Sequence, residues 1–406
     1  MKRRVLVSLL ATILAATAPI ARADGTDLPA PPTAADMEMA DTGPVATTDR
    51  CAGGPTTSPL SRRKIIAALR NRNNETEHLT LVAAHRGYWE ESPENSWDAL
   101  VRAGFTCHFE LVEADIKPAL GGRPMVFHDL KLDRVSTGHG DLDQHTPEQL
   151  RLLSLRDRFG QPTEMNLLEG RQLIDGWQQV LANHGGLEGG PVMAFDVKAL
   201  DPANVWPQVE KLVEVIRFRD QVMPGSLKNA FIFKIEARSL PADPTVVDRL
   251  VAGLGSELFH MIVVLNPQDD DSTCGLRSDD ADCTVNKYRN KPYVVGHEVN
   301  LRFPGDLLEP MLDGRLPGAI GGFVTYYDLP TGVGNSKAIC CSQLNTDTSV
   351  FDPKKSIDYR ARWDWQATAL APNGLRAFRV ITIDRPEILA DYLAVLGLRD
   401  TSIIRR

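Results

Sequence analysis

Apolar runs of six to eight residues recur along the chain from about residue 79 to residue 383, and stretches with helical spacing of apolar residues separate them. Such runs are typical of strands that are buried on both faces of a parallel sheet. We predict eight strands: Leu79–Ala84, Phe109–Ile116, Pro191–Lys198, Ala230–Glu236, His260–Leu265, Tyr293–Glu298, Ala319–Tyr326 and Phe378–Ile383.

Helical patterns lie between these runs, for example over Val205–Phe218 and Thr245–Leu254. Alternation of strand and helix within one domain favours an α/β fold, the (β/α)8 TIM barrel, whose active residues lie at the C-terminal ends of several strands. The chain is longer than a minimal barrel requires, and long insertions are predicted after strands 5 and 7. The second insertion carries Trp363 and Trp365, which either contact substrate or pack an extra helix against the barrel.

The N-terminus has the organisation of a secretory signal peptide. Basic residues 2–4 precede an apolar run over 5–20, and residues 21–23 (ARA) form a small-x-small cleavage site. Residues 24–61 are rich in Pro, Thr, Ala and Gly, so they predict a disordered or loosely attached leader before a barrel domain over 62–406. We therefore expect an exported protein, periplasmic or secreted, without an integral membrane span.

The net charge limits the possible binding partners, and the cysteine content bears on disulfide formation. The formal net charge is −8 and becomes −12 once residues 1–23, with four basic and no acidic residues, are removed. An acidic chain has no general attraction for nucleic acid or anionic membranes, so a soluble small molecule is the favoured substrate. Six cysteines in an exported protein favour disulfides. We predict a Cys274–Cys283 pair, whereas Cys107 is more typical of a small core residue.

Residues with catalytic chemistry lie at the ends of the first predicted strands. His85, Arg86 and Gly87 end the first strand, Glu113 and Asp115 share one face of the second, and His128 follows a short run over 124–127. Two inward carboxylates require a counter-charge, which is either a cationic side chain or a hard, oxygen-seeking cation. Two imidazoles beside such a pair are what metal-assisted cleavage of a phosphoester requires.

These motifs, HRG, PEN, E-x-D and HD in this order, resemble the glycerophosphodiester phosphodiesterases of the phospholipase C-like phosphodiesterase superfamily. The resemblance continues in residues 140–155 and 381–393. It implies that His85 and His128 transfer protons and that Glu113 and Asp115 hold a divalent cation, Ca²⁺ or Mg²⁺, with a third acid on the next barrel strand. That acid is Asp196 here, where the family usually has Glu before Ile-Lys; the F-D-x-K form resembles the sphingomyelinase D-like phospholipases.

We therefore expect metal-dependent hydrolysis of glycerophosphodiesters to glycerol 3-phosphate and an alcohol, with a soluble diester or a lysolipid as substrate. The alternatives are phospholipase D-like cleavage of lysophospholipid or sphingolipid head groups, and phosphodiester binding without turnover. Arg86 and Lys198 are the predicted phosphate contacts. Glu94, Lys234 and Glu236 are further substrate-binding candidates, although Glu94 could instead cap its helix and Lys234 could instead pair with Glu236.

Overall fold

The computed structural model describes residues 59–70, 77–89, 92–184, 186–265, 283–299, 319–325, 367, 376, 378–384 and 386–406, within a unit that runs from Arg50 to Arg406. Three groups of sequence predictions lie outside the described residues. They are the signal peptide with nearly all of the leader, Cys274, and the two tryptophans of the predicted second insertion.

The described strands are β1 Leu81–Ala84, β2 Leu111–Pro118, β3 Pro124–Val126, β4 Ser154–Arg156, β5 Pro162–Asn166, β6 Leu168–Glu169, β7 Val192–Val197, β8 Phe231–Glu236, β9 His260–Leu265, β10 Val294–Val299, β11 Ala319–Thr325 and β12 Val380–Ile383. Strands β7 to β12 pair in parallel in chain order, and β1 and β2 close the ring by pairing with each other and with β12 and β7 respectively. The result is a closed barrel of eight parallel strands, and the eight predicted strands are confirmed.

The described α-helices are α1 Arg62–Arg70, α2 Trp97–Val101, α3 Pro147–Leu150, α4 Gly170–His184, α5 Val205–Val222, α6 Thr245–Leu254, α7 Thr284–Tyr288 and α8 Pro386–Val395. A π-helical turn, Arg102–Thr106, extends α2. In α5, Val205, Val209 and Leu212 recur at helical spacing and are buried on the face toward the barrel. No helix in the described ranges combines the length and apolarity needed to cross a membrane.

The largest described excursion from the barrel lies between β2 and β7. There β3 pairs antiparallel with β2, β6 pairs antiparallel with β3, and β4 and β5 form a separate hairpin. A satellite core that includes Met125, Phe127 and Leu150 supports this insertion. The sequence analysis missed it because β5 is an alternately exposed strand with little apolar signal. The predicted insertions after the fifth and seventh barrel strands, β9 and β11, remain predictions.

The barrel interior changes from apolar to charged along the strands. The inward positions of β2 are Leu111, Glu113, Asp115 and Lys117, because side chains on one face recur every second residue. The apolar layer at the N-terminal end packs against α1, which covers that end of the barrel. The C-terminal half of the interior is therefore where the charged side chains meet.

Two described cysteines, Cys107 and Cys283, are disulfide-bonded. Cys107 is thus not the reduced core residue that its position suggested. The Cys274–Cys283 pairing stays a prediction, since Cys274 is outside the described residues.

Candidate active site

The first histidine is fixed by the last strand of the barrel. Ala84 and Ile383 are register partners in β1 and β12, so the next residues, His85 and Asp384, emerge side by side at the C-terminal end. His85 Nδ1 lies 2.6 Å from Asp384 Oδ1, and both side chains are buried. This contact sets the orientation of the ring and directs Nε2 away from Asp384.

The loop after His85 takes an unusual backbone path. Arg86 has φ +59° and Gly87 has φ +82°, in the left-handed region that favours glycine. A Cβ on Gly87 would lie 2.6 Å from the backbone carbon of Ala99 in α2, so only glycine fits there. The turn aims the Arg86 N–H at Glu113 Oε2, to which it donates a hydrogen bond of 2.8 Å.

Asp115 is held rigidly from several sides. The Asn95 side chain donates to Asp115 Oδ2 at 2.9 Å and accepts from the Asp115 backbone N–H at 3.0 Å. Arg86 Nε lies 3.2 Å from Asp115 Oδ2, and Lys198 Nζ lies 3.3 Å from Oδ1. Asn95 therefore orients the carboxylate rather than only forming a turn, while Ser96 provides the N-cap of α2.

Three neighbouring strands place charges in one row. Asp115, Asp196 and Lys234 are register partners across β2, β7 and β8, so their side chains leave the sheet on the same face. Lys234 Nζ lies 3.0 Å from Glu298 Oε2, 3.5 Å from Asp196 Oδ2 and 3.7 Å from Glu113 Oε1. Lys198 Nζ lies 2.7 Å from Asp196 Oδ2. The two lysines thus neutralise part of the acid cluster.

The second histidine belongs to a chain of ion pairs at the edge of the insertion. His128 Nδ1 lies 2.8 Å from Asp129 Oδ1, and Arg134 donates to both Asp129 oxygens. Arg134 also donates to both oxygens of Glu94, whose Oε1 accepts from Arg86 at 2.9 Å. The network links the His128 side chain to Arg86 and, through it, to Asp115.

Burial and neighbouring charges shift the pKa values of the two acids of β2 in opposite directions. Burial, followed by the charge of Asp115, raises the pKa of Glu113 to about 7. Burial also acts to raise the pKa of Asp115, but His128, Lys198 and Arg86 hold it well below its ordinary value. At neutral pH Asp115 is ionised, whereas Glu113 exchanges its proton readily.

The same cluster of charged side chains also shifts the pKa values of Arg86 and His128. Burial acts to lower the pKa of Arg86, but Glu94 and Asp115 raise it above its ordinary value. Burial, and then the charge of Arg86, lowers the pKa of His128 to about 4. His128 is therefore neutral at pH 7 and able to accept a proton.

The donor atoms fit a hard divalent cation. His85, Glu113 and Asp115 each offer an atom, and these atoms lie within 4.8 Å of one another. Glu113 Oε1 is buried and, within the described ranges, accepts no hydrogen bond. A buried acceptor of that kind is stabilised by a cation. Asp196 does not belong to this group of three, and its role as a ligand stays a prediction.

The structure brings most of the predicted site residues together but places Glu236 apart from them. Seven of them form one contact network, which reaches His128 through Arg134: Arg86, Glu94, Glu113, Asp115, Asp196, Lys198 and Lys234. A ring nitrogen of His85 lies within 4.8 Å of carboxylate oxygens of Glu113 and Asp115. Glu236 instead pairs with Arg238 at 2.7 Å, while Lys234 pairs with other acids. Substrate binding by Glu94, Lys234 and Glu236 stays a prediction.

Sequence reasoning missed several members of the network. Asp384 ends the last strand and Glu298 lies near the end of β10, so the strand-end criterion that found His85 could have identified both. Arg134 gave no such signal, because it lies in the insertion and meets Glu94 only through the tertiary fold. Lys117 was overlooked although it shares the face of Glu113 and Asp115.

The sequence is similar to known proteins. The model of the glycerophosphoryl diester phosphodiesterase family matches residues 85–230. The chain is 29% identical over 344 residues to the uncharacterized protein y4eD of Sinorhizobium fredii, covering 81% of this chain and 87% of that protein. It is 34% identical over 82 residues to a glycerophosphodiester phosphodiesterase of Caldanaerobacter subterraneus, covering 20% of this chain and 33% of that protein.

The fold also agrees with a solved structure. The crystal structure of a glycerophosphoryl diester phosphodiesterase from Parabacteroides distasonis has a TM-score of 0.52 and 14% identity, and the match covers 84% of this chain and 93% of that one. Identity this low shows the barrel alone. The family model, however, spans both histidines and the acids of β2 and β7. Residues 85–230 therefore match the glycerophosphoryl diester phosphodiesterase family, which indicates a phosphoric diester hydrolase.

Proposed function

We propose that the protein is an exported, metal-dependent enzyme that hydrolyses glycerophosphodiesters to glycerol 3-phosphate and an alcohol. The observation that carries the proposal is the pair of imidazoles, each oriented by an Nδ1 contact with a carboxylate. Both are close enough to Asp115 to lower its pKa through their charge. Two oriented proton carriers beside an acid cluster are the arrangement that general acid–base cleavage of a diester needs.

A divalent cation, Ca²⁺ or Mg²⁺, would be held by Glu113 and Asp115, with Asp196 next to Asp115 in register. When bound, it would polarise the phosphoryl group and neutralise charge that develops during the reaction. His85, the third member of the group of donor atoms, fits proton transfer equally well. We assign it that role because Asp384 already occupies its Nδ1.

Lys198 is the cation best placed to meet the diester. Its side chain is 27% exposed, whereas the Arg86 and Lys234 side chains are 4% and 5% exposed. Arg86 is engaged by Glu94 and Asp115, so its main effect is to fix the cluster and add positive potential. Lys198 would bind a phosphoryl oxygen directly, with Arg86 behind it.

The two histidines differ in the carboxylates that orient them. Asp129 shares its charge between His128 and Arg134, whereas the described partner of Asp384 is His85. Burial lowers the pKa of His128 to about 4, so a neutral His128 is available as a base at pH 7. We assign His128 as the base that takes a proton from the attacking water. His85 is the acid that protonates the alcohol oxygen as its bond to phosphorus breaks.

The test combines two substrates with three metal conditions. Purified protein is incubated with glycerophosphocholine or lysophosphatidylcholine in Ca²⁺, Mg²⁺ or a chelator, and glycerol 3-phosphate and choline are measured. Release of glycerol 3-phosphate from the soluble diester, lost on chelation, is the expected result. Turnover confined to lysophosphatidylcholine would favour the phospholipase D-like alternative, and tight binding without turnover would favour a binding protein.

Export has a separate test. Expression of the full chain in a bacterial host, followed by N-terminal sequencing of the periplasmic or secreted product, should give a mature chain that begins at Asp24. A product that retains residues 1–23 inside the cell would contradict the predicted signal peptide.

A further inference from the structure

A cavity of about 230 Å³ opens beside the active site at the ends of β2 and β7. Lys117 and Pro118 of β2, Ala199 and Leu200 after β7, and residues 141–144 of the insertion contribute to its lining. Because Lys198 immediately precedes Ala199, a diester bound at Lys198 has this cavity within reach of one of its alcohol groups. The volume is below the range typical of drug-sized ligands, about 300–1,000 Å³, and suits a small head group.

Lys117 is the distinctive residue of this cavity. It is only 7% exposed and lies two residues beyond Asp115 on the inward face of β2. Lys198 and Lys234 each contact carboxylates, but Lys117 makes no hydrogen bond or ion pair with any residue in the described part of the chain. A buried ammonium group without a partner is costly, so a ligand that supplies a negative charge would relieve that cost.

We infer that the cavity receives the alcohol head group of the diester and that Lys117 is a specificity-determining residue that binds a carboxylate on that group. This inference rests on the proposed hydrolysis of glycerophosphodiesters. Two residues along a strand advance the chain by about 7 Å, so Lys117 lies one step outward from the acids that flank the reacting phosphate. A carboxylate a few bonds from phosphorus would therefore reach it.

The remaining charges of the lining favour a zwitterionic head group. Asp141 and Asp143 belong to the same cavity, and Asp141 pairs with the exposed Lys131 at 3.5 Å. A cation on β2 and carboxylates on the insertion complement an amino-acid alcohol such as serine. The ammonium group can face the acids while the carboxylate meets Lys117.

The experiment compares glycerophosphoserine with glycerophosphoethanolamine, which differ only by the carboxylate. We expect the wild-type protein to prefer the serine diester in kcat/KM by about tenfold or more, mainly through KM. Lys117→Met keeps the aliphatic stem and removes the charge, so it should reduce that preference about tenfold or more. Lys117→Arg should retain part of it, and the matched rim variant Lys131→Met should leave it unchanged.

The outcomes separate this inference from the proposed function. Equal turnover of both diesters, with no change of the ratio in Lys117→Met, would overturn the role of Lys117 and leave the hydrolase assignment intact. Absence of turnover of either diester would contradict the proposed function instead. Calorimetric binding of the two diesters would then decide the inference. Tighter binding of the serine diester that Lys117→Met removes would support it, and equal affinities would reject it.

A structural role for Lys117 makes a different prediction. If the lysine only supported the fold, Lys117→Met would lower Tm and affect both diesters equally. Removal of a buried charge without a partner should instead leave Tm unchanged or raise it.

Discussion

The two ends of the barrel contain the same residue types and use them differently. At the N-terminal end, Glu110 accepts from Arg399 at 2.8 Å and from the Val82 backbone N–H at 3.1 Å. Arg62 donates to four backbone carbonyl groups. These charges join chain segments that are distant in sequence, so they contribute to stability.

At the C-terminal end, most of the charged side chains contact one another, and Glu113 also accepts the Arg86 backbone N–H. Glu113 retains an oxygen without a hydrogen bond in the described ranges, and its pKa is raised to about 7. Lys117 lies two residues beyond Asp115 and forms no ion pair within 4 Å with a described residue, although Asp115, Asp196 and Asp129 act on it at longer range. One Glu110 oxygen likewise accepts no hydrogen bond among the described residues. The comparison teaches that the crowding of several acids and cations around one point, rather than buried charge itself, distinguishes the functional end of this barrel.

The largest expected effect concerns the histidines. His85→Ala and His128→Ala should each lower kcat about 10²–10⁴-fold, because a positioned proton carrier is lost. Thermal unfolding should change little in His128→Ala, because Asp129 keeps Arg134 as a partner, whereas His85→Ala leaves the buried Asp384 without its described partner and should lower Tm. Steady-state kinetics and calorimetry measure both quantities. A loss of less than tenfold in kcat would remove that histidine from the proposed mechanism.

The next largest effect concerns the stability of the protein and a residue at the N-terminal end of the barrel. Glu110→Ala leaves Arg399 without its buried partner and should lower the free energy of unfolding by about 3–5 kcal/mol, with kcat/KM of the folded protein unchanged. Denaturant titration measures the loss. The matched control is Lys228→Met, which removes an exposed pair with Glu257 and should not change Tm measurably. Loss of activity in the folded Glu110→Ala protein would contradict the division between the two ends.

A smaller effect is expected for the residue that orients Asp115. Asn95→Ala removes two hydrogen bonds to Asp115 and should weaken divalent-cation affinity about 10- to 100-fold. Asn95 has φ +58°, so alanine adds backbone strain, whereas Asn95→Gly removes the amide without that strain. Both variants should lose the same affinity, and only Asn95→Ala should lose much stability. Unchanged cation binding in Asn95→Gly would argue against cation binding by Asp115.

The smallest effect is a proton linkage at Glu113. Because the carboxyl group must lose its proton to bind a cation, apparent affinity should rise up to about tenfold per pH unit below pH 7 and level off above it. Without cation, the folded state binds this proton more tightly than the unfolded state does. The contribution of Glu113 to stability, measured as the difference from Glu113→Gln, should therefore fall as pH rises from about 4.5 to 7, whereas His128, with its pKa lowered to about 4, contributes in the opposite direction.

Calorimetry in two buffers of different ionisation enthalpy measures the proton released on cation binding. Release should approach one proton at pH 6 and vanish near pH 8. Constant release across this range would show that Glu113 does not hold the cation.

Much of the fold could be predicted from the local pattern of apolar residues in the sequence. The continuous apolar runs located all eight barrel strands to within two residues at most ends, because strands buried on both faces leave an unmistakable signal. The antiparallel insertion after β2 was missed, since its strands are short and half exposed. The strand-end positions of His85, Glu113 and Asp115 predicted a shared site, and the structure brings them together.

Sequence alone determined the barrel, the face of each strand and the chemical types that meet at its mouth, because these follow from the two-residue period of a strand and the parallel order of the sheet. Only the tertiary structure decided which partners they meet: Asp384 with His85, Arg134 with Glu94, and Glu298 with Lys234. These contacts join residues far apart in sequence, and whether a buried charge is satisfied depends on distances that no local pattern encodes.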